Sequence, residues 1–211
     1  MSAPILAVDT ASGLASCAII NNNGNIIAFS GGTESSLQAE GLFDHIIKVL
    51  SEANLGYSDL GGFAVNLGPG SFTGIRIGLS AVTALCFALN KKLLGISSLE
   101  ALAYNAWKEK GISHIKTALD AGREGAYFAE FSINESGLIT ASNDGELIDI
   151  KTLPACDIGN LPACITRHSP TAADIAIAAH YKIKNNIADF DRKTPIYIRK
   201  PDAKIKVKNN V

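Results

Sequence analysis

A glycine-rich turn between two apolar segments is the part of this chain whose residue types most suggest a binding loop. It runs from Gly68 to Gly74 and reads Gly-Pro-Gly-Ser-Phe-Thr-Gly. Such a turn before a helix can leave backbone N–H groups free at the helix N-terminus, where an anion can bind. The turn lacks the lysine of a Walker A loop, the third glycine of a dinucleotide fingerprint and the Gly-x-Ser-x-Gly pattern of a nucleophile elbow. Two interpretations stay open: an anion site, or a tight connection in which Ser71 or Thr73 caps the helix.

Two aspartates stand at the ends of apolar strand-like segments. Asp9 follows Ile5-Leu6-Ala7-Val8, and Asp120 follows the segment 115–119. Carboxylates in such positions can hold a metal–nucleotide complex or, together with Glu40, an acidic nuclease cluster. They also commonly cap turns, and we favour that interpretation. A nucleotide- and metal-binding enzyme that uses Asp9 and Asp120 remains the alternative, and a nuclease ranks third.

The elements that must position these residues follow from hydrophobic periodicity and turn signals. Alternation, Asn-Gly and capping patterns predict an α/β chain in which strands and helices follow one another. The predicted strands are 5–8, 15–20, 26–30, 62–67, 93–96, 115–119, 126–133 and 194–199. The predicted helices are 36–53, opened by a Ser35/Gln38 capping box, about 73–89, 97–110, capped by Ser97 with Glu100, and 171–184.

The start of the chain and the segment after Gly111 share a pattern. In both places an apolar strand ends in aspartate, a glycine-containing turn follows, and a second strand returns. This similarity predicts a weak internal duplication. We therefore expect an N-terminal lobe over 1–110, a C-terminal lobe over 111–199 and a flexible basic tail over 200–211.

The composition excludes several classes of protein. The chain has 211 residues, a net charge of -1, 47% hydrophobic residues and 18% charged ones. Disorder requires lower hydrophobicity or a larger charge imbalance, and a nucleic-acid-binding body requires a basic excess. The four cysteines include no Cys-x-x-Cys pair, and no two of the four histidines are three to five residues apart, so we predict no metal site.

The N-terminus carries no sign of secretion. Met1-Ser2-Ala3-Pro4 has no basic region, and Asp9 interrupts the apolar segment that follows. The neutral stretch from Ile77 to Asn90 is too short to cross a bilayer. We therefore expect a cytoplasmic protein without a membrane span.

The helix after the glycine-rich turn is apolar nearly all round. Gly74, Gly78 and Ala81 give it small residues, which favour close approach by another helix of the same lobe or of another subunit. Arg76 is its one charged residue, either a solvated surface charge or a partner for an anion or an interface carboxylate.

Several of these motifs together resemble one known family. They are Asp9-Thr10, Gln38-Ala39-Glu40, the run Asn66-Leu67-Gly-Pro-Gly-Ser-Phe-Thr-Gly-Ile-Arg-Ile-Gly-Leu79, Ser97-Ser98-Leu99-Glu100-Ala101 and Leu119-Asp120-Ala121. Over essentially its whole length the chain looks like the TsaB (YeaZ) family. It departs from the family pattern at Gln38, where many members have histidine, and at Gly122, which interrupts a more usual Asp-Ala-Arg.

The resemblance implies a duplicated actin-like, ribonuclease-H-like fold with two lobes, in which mixed sheets are flanked by helices. It also implies a non-catalytic subunit for N6-threonylcarbamoyladenosine formation at tRNA position 37, which binds the catalytic subunit TsaD. The small ATPase TsaE would dock on the pair, a homodimer would be possible, and tRNA would be met only through the complex. No catalytic residue and no cofactor are implied. The older glycoprotease or peptidase M22 label finds no support, because the metal-binding His-x-x-x-His of TsaD is absent.

Two sets of residues follow from the motifs and the resemblance together. The predicted partner interface comprises Leu42, Phe43, Ile46, Ile47, Gly74, Arg76, Gly78 and Ala81. A vestigial nucleotide or anion site would comprise Asp9, Thr10, Gly70, Ser71, Thr73 and Asp120.

Overall fold

The structure, a computed structural model, describes residues 3–31, 41–143, 145–152, 169–191 and 193–199. These residues form two β-sheets and four α-helices. The first sheet contains β1 (Ile5–Asp9), β2 (Ser16–Ile20), β3 (Ile26–Gly31), β4 (Gly62–Asn66) and β5 (Lys92–Ile96). The second contains β6 (His114–Gly122), β7 (Gly125–Ile133), β8 (Ile139–Ala141) and β9 (Glu146–Asp149). The helices are α1 (Leu42–Glu52), α2 (Phe72–Leu89), α3 (Ser98–Lys110) and α4 (Ala172–Lys184).

The first sheet is mixed, with strand order β3-β2-β1-β4-β5. β1 lies at its centre, antiparallel to β2 and parallel to β4. Every residue of β1 is buried, because the sheet is covered on both faces. Successive side chains of β1 alternate between two cores: Leu6 and Val8 face one, and Ile5 and Ala7 face the other.

The four helices divide between these two faces. α1 and α2 cover the face that bears Leu6 and Val8. α3 and α4 cover the face that bears Ile5 and Ala7, and the same core continues into β6 and β7 of the second sheet. α4, whose residues were predicted within the C-terminal lobe, therefore packs directly on β1 and β2 of the first sheet.

The second sheet is built on the long β6–β7 hairpin, with β8 and β9 both pairing along the other edge of β7. Its start repeats the start of the first sheet. Asp9 accepts a hydrogen bond from the backbone N–H of Ala11 at 3.0 Å, and Asp120 accepts one from Gly122 at 2.6 Å. Both aspartates thus cap the turn of an antiparallel hairpin, which is the interpretation that the sequence favoured.

Most predicted elements agree with the structure, and two local predictions were wrong. Residues 194–199 form no strand; the backbone N–H of Ile196 makes a single hydrogen bond to the carbonyl of Leu67. Ser97 is the N-cap of α3 but makes no side-chain capping bond, and Glu100 forms an ion pair with Lys182 of α4 at 2.6 Å.

Some predictions lie outside the described residues. They concern the Ser35/Gln38 capping box, the first residues of helix 36–53, Glu40, Cys156, Cys164, His168 and the tail 200–211. Cys17 and Cys86, within the described part, are buried free thiols.

By length and composition alone, α2 could cross a membrane, since its 18 residues have a mean hydropathy of 1.7. Its position in the fold gives a different reason for this composition. One side packs on β4 and β1, and only 28% of its residues are buried. The helix therefore combines a core-facing side with a largely uncharged exposed side.

Candidate functional site

A cleft of about 320 Å³ lies between the two sheets, where both Asp-capped turns meet the glycine-rich turn. The described residues that line it are Ala11, Ser12, Gly13, Pro69, Gly70, Ser71, Ser98, Leu119, Asp120, Ala121, Tyr127, Ser169 and Pro170. The one charged side chain among them is the carboxylate of Asp120. The described lining is therefore acidic and rich in hydroxyl groups, which does not favour an anionic ligand.

The glycine-rich turn uses its backbone N–H groups within the molecule. Gly68 donates to the side-chain oxygen of Asn66 at 2.8 Å, and Ser71 donates to the carbonyl of Ala11 at 2.7 Å. Gly74 donates to the hydroxyl of Ser71 at 3.2 Å, so Ser71 is the N-cap of α2. Three amides of the turn are thus engaged within the chain, and Ser71 caps α2 as the tight-connection interpretation requires.

Close approach to the β1–β2 turn explains why this connection contains glycine. A Cβ atom at Gly70 would lie 2.5 Å from the carbonyl oxygen of Ala11. Gly68 has a φ of +93°, a conformation that side chains disfavour. Gly70 therefore allows the close packing of the two turns, and Gly68 allows the backbone conformation of the connection.

Asp9 lies below the cleft and is fully buried. Its carboxylate accepts hydrogen bonds from the Ala11 N–H at 3.0 Å, from the Asn66 amide at 2.7 Å and from the Ser12 hydroxyl. Burial raises the pKa of Asp9 to about 6, against the opposing effect of the Ser12 and Asn66 hydrogen bonds. These bonds give Asp9 a structural role at the junction of β1, its following turn and β4.

Asn66 is the residue whose role the sequence did not predict. In addition to its bond to Asp9, its side-chain oxygen accepts hydrogen bonds from the Gly68 N–H and from the Ser98 hydroxyl, both at 2.8 Å. Asn66 and Ser98 are almost completely buried. Together they join the Asp9 turn, the glycine-rich turn and the start of α3. The available signal was an asparagine at the end of an otherwise apolar strand, since a buried amide must find partners.

The structure brings only part of the vestigial site together at the cleft. Gly70, Ser71 and Asp120 line it, whereas Asp9 is buried beneath Ser12. The hydroxyl of Thr10 is also buried, where it donates to the carbonyl of Gly74 at 2.6 Å. Thr73 is exposed in the first turn of α2 and does not belong to the lining. The proposed pairing of Asp9 with Asp120 in one cleft is therefore corrected: the hydrogen bonds of the Asp9 carboxylate are satisfied beneath the cleft, within the first sheet and its turns.

The predicted partner interface is also divided by the structure. Leu42, Ile46, Gly74 and Gly78 are buried within the chain's own core, so their assignment to a partner-facing surface was wrong. A Cβ atom at Gly78 would overlap Thr10 Oγ1, which shows that this glycine serves the contact of α2 with β1. The error arose because helical periodicity identifies an apolar side without saying what covers it.

The remaining members of the predicted interface lie on the outer side of α1 and α2. Phe43 is 48% exposed and Ile47 is 60% exposed, Arg76 is exposed, and Ala81 is half-buried. Phe87, which the sequence prediction omitted, is 91% exposed. We call the exposed side chains Phe43, Ile47, Arg76, Ser80, Thr83 and Phe87 the α1–α2 surface.

The described part of the chain contains no group of three or more His, Cys, Asp or Glu side chains placed to hold a metal ion.

The comparisons with known proteins agree with the resemblance seen in the sequence. Residues 33–145 match the family model described as TsaD, tRNA N6-adenosine threonylcarbamoyltransferase. The tRNA threonylcarbamoyladenosine biosynthesis protein TsaB of Escherichia coli is 30% identical over 64% of this chain and 57% of its own length. TsaB of Buchnera aphidicola is 35% identical over 51% of each chain. The chain thus spans about half the length of these curated relatives.

Solved structures confirm the fold. YeaZ from Pseudomonas aeruginosa superposes with a TM-score of 0.76 at 23% identity, over 92% of this chain and 99% of that one. The predicted actin-like, ribonuclease-H-like architecture is therefore the architecture of this protein. The TsaD family model matches more than half of this chain, and the curated relatives carry the TsaB name; the chain belongs to the TsaB/YeaZ family.

Proposed function

We propose that this protein is a non-catalytic subunit in N6-threonylcarbamoyladenosine biosynthesis, which binds a TsaD-like catalytic subunit and supports its activity on tRNA. The names of the TsaB relatives and the match to the TsaD family model support a role in this process. The α1–α2 surface supports the binding role.

The observation that carries the binding role is the exposure of apolar side chains on α1 and α2. Phe43, Ile47 and Phe87 expose between 48% and 91% of their surface on one helical layer. Large apolar side chains exposed on the surface are typical of sites that a protein partner covers. Between residues 60 and 90 the single charged residue is Arg76, so most of α2 can be buried without desolvating a charge.

Two groups that a catalytic interpretation would use, the Asp9 carboxylate and part of the glycine-rich turn, are engaged within the chain, which supports the non-catalytic role. Asp9 is buried and accepts three hydrogen bonds, and three amides of the glycine-rich turn have partners within the chain. A TsaE-like ATPase, a homodimer, indirect contact with tRNA and a cytoplasmic location remain parts of this proposal.

Co-purification with TsaD from the same organism tests the binding role. We expect Ile47→Lys and Phe87→Lys to abolish it, because each buries a charge in an apolar interface. Leu147→Lys is the matched control, since Leu147 is 41% exposed on β9, outside the α1–α2 surface. The wild-type complex should persist at 0.5 M salt, because nearly all its central side chains are uncharged.

Circular dichroism must show that all three variants keep the wild-type helix content. Retained TsaD binding by both α1–α2 variants, or equal loss in Leu147→Lys, would contradict the proposed surface.

A further inference from the structure

Arg76 belongs to a stack of three side chains at the start of α2. Its guanidinium carbon lies 3.7 Å from the centre of the Phe72 ring. The Phe72 ring lies 4.5 Å from the ring of Tyr197, and Arg76 lies 5.9 Å from that second ring. Phe72 and Arg76 are one helical turn apart, whereas Tyr197 comes from a distant part of the chain.

Hydrogen bonds to both lobes hold the segment that delivers Tyr197. The backbone N–H of Ile196 donates to the carbonyl of Leu67 in the first lobe at 2.8 Å. The guanidinium of Arg199 donates to the carbonyls of Ala121 and Gly122 in the second lobe, at 2.5 and 3.2 Å. Residues on both sides of Tyr197 in the sequence, Ile196 and Arg199, are therefore held by hydrogen bonds, so the stack of three side chains is ordered before a partner binds.

Stacking uses the flat face of a guanidinium and leaves its N–H edge for hydrogen bonds. Arg76 is exposed, Tyr197 is 38% exposed, and no carboxylate of the described residues lies within ion-pair distance of Arg76. The result is a rigid fork of donors on an otherwise uncharged helix. Arginine and tyrosine in such ordered positions are typical of the few residues that dominate the affinity of an interface.

We propose that Phe72, Arg76 and Tyr197 form a recognition site for a carboxylate side chain of the protein partner, with the guanidinium binding that carboxylate in a bidentate manner. This inference rests on the proposed function and names the chemistry of the partner surface: an aspartate or glutamate surrounded by apolar groups. Burying Arg76 in the otherwise uncharged α1–α2 surface is favourable only with such a partner, because an unpaired buried charge is costly.

A second copy of this chain fits the site less well. If two copies packed α2 on α2, each would bring a guanidinium to a helix that has no carboxylate of its own. Each guanidinium would then be buried without a carboxylate from the facing helix. A different protein that supplies the carboxylate would pair the guanidinium and remove this conflict.

The test measures the affinity of the full-length protein for TsaD by isothermal titration calorimetry. We expect Arg76→Lys and Arg76→Gln each to raise Kd about tenfold or more, since lysine keeps the charge but loses the bidentate fork. Tyr197→Leu should raise Kd by a smaller factor, because it removes one ring of the stack. Tyr197→Phe keeps the ring and should bind as the wild type does. Lys48→Gln, which removes an exposed charge of α1, is the matched control and should also leave Kd unchanged.

Wild-type affinity in both Arg76 variants would overturn the inference while leaving the proposed function intact. It would also be overturned if the Arg76 variants lost only self-association, measured by analytical ultracentrifugation, or only retention of tRNA by the isolated protein. Failure of the wild-type protein itself to bind TsaD would instead overturn the proposed function. Unchanged melting temperatures of the variants ensure that a lost affinity reports on the site.

Discussion

At the scale of single residues, burial determines what the carboxylate of Asp9 does. The sequence places an aspartate at the end of a strand and leaves metal binding and turn capping open. In the structure the carboxylate is fully buried and accepts its hydrogen bonds from Ala11, Ser12 and Asn66. Asp120 occupies the equivalent position in the second lobe, but it is exposed at the cleft. The two aspartates share a local geometry and differ in solvent access, which a sequence motif does not report.

We predict that Asp9 makes the stability of the protein fall as pH rises from about 4 to about 6. The pKa of Asp9 is raised from 3.8 to about 6 in the folded protein, so within this window the folded state holds a proton that the unfolded state has released. Below the window both states are protonated, and above it both are ionised and the full cost of a buried charge is present. Asp9→Asn keeps the shape and cannot ionise.

Urea denaturation of both proteins between pH 4 and pH 8 checks this prediction. The free energy of unfolding of Asp9→Asn minus that of the wild type should increase across the window, by on the order of 3 kcal/mol for a shift of about two pH units. Taking this difference removes the contribution of every other titrating group. A difference that stays constant with pH would show that Asp9 does not titrate as its burial requires.

At the scale of elements, the sequence predicts that α2 exists, but it does not predict which side of the helix faces the core. A cap by Ser71 or Thr73 and the end of the helix near Asn90 follow from local chemistry, and in the structure Ser71 is the N-cap and Asn90 the C-cap. Small and large apolar residues occur on all sides of the helix, so periodicity could not separate the core side from the exposed side. Gly78 was therefore assigned to a partner surface although it packs on Thr10.

The contact between α2 and β1 predicts that Gly78→Ala is destabilising. Overpacking costs about 1–3 kcal/mol, and we expect the cost at this close contact to exceed the gain of about 1 kcal/mol in helix propensity. The added Cβ would overlap Thr10 Oγ1. The double variant Thr10→Ala/Gly78→Ala should lose less stability than the sum of the two single variants, because the first change removes the overlapping atom. Ser80→Ala, at an exposed position of the same helix, is the matched control and should change stability by less than about 0.5 kcal/mol. Additive effects in urea denaturation would show that the Gly78–Thr10 contact is not what restricts residue 78.

At the scale of the whole molecule, the chain returns to its first sheet after building the second. The duplicated Asp-capped hairpins could be predicted, because each is a local pattern of strand, turn and strand. The position of α4 could not be predicted in the same way. Its residues are apolar on most sides, and its partners Ile5 and Ala7 lie more than 160 residues earlier in the sequence. The ion pair of Glu100 with Lys182 joins α4 to α3 in the same layer.

Because α4 packs on the first sheet, we predict that the N-terminal lobe, residues 1–110, is not an independent folding unit. A fragment of residues 1–110 would expose the face of the first sheet that bears Ile5, Ala7 and Ile20, which α4 covers in the full chain. We expect this fragment to lack a cooperative urea transition, measured by far-ultraviolet circular dichroism. The full chain should unfold in one transition, in which the fluorescence of its single tryptophan, Trp107, changes together with the circular dichroism. A chain of residues 1–199 retains every described element and should behave as the full chain does. A fragment 1–110 that unfolds cooperatively would show that the first lobe is stable without α4, and the shared core would then join two independent domains.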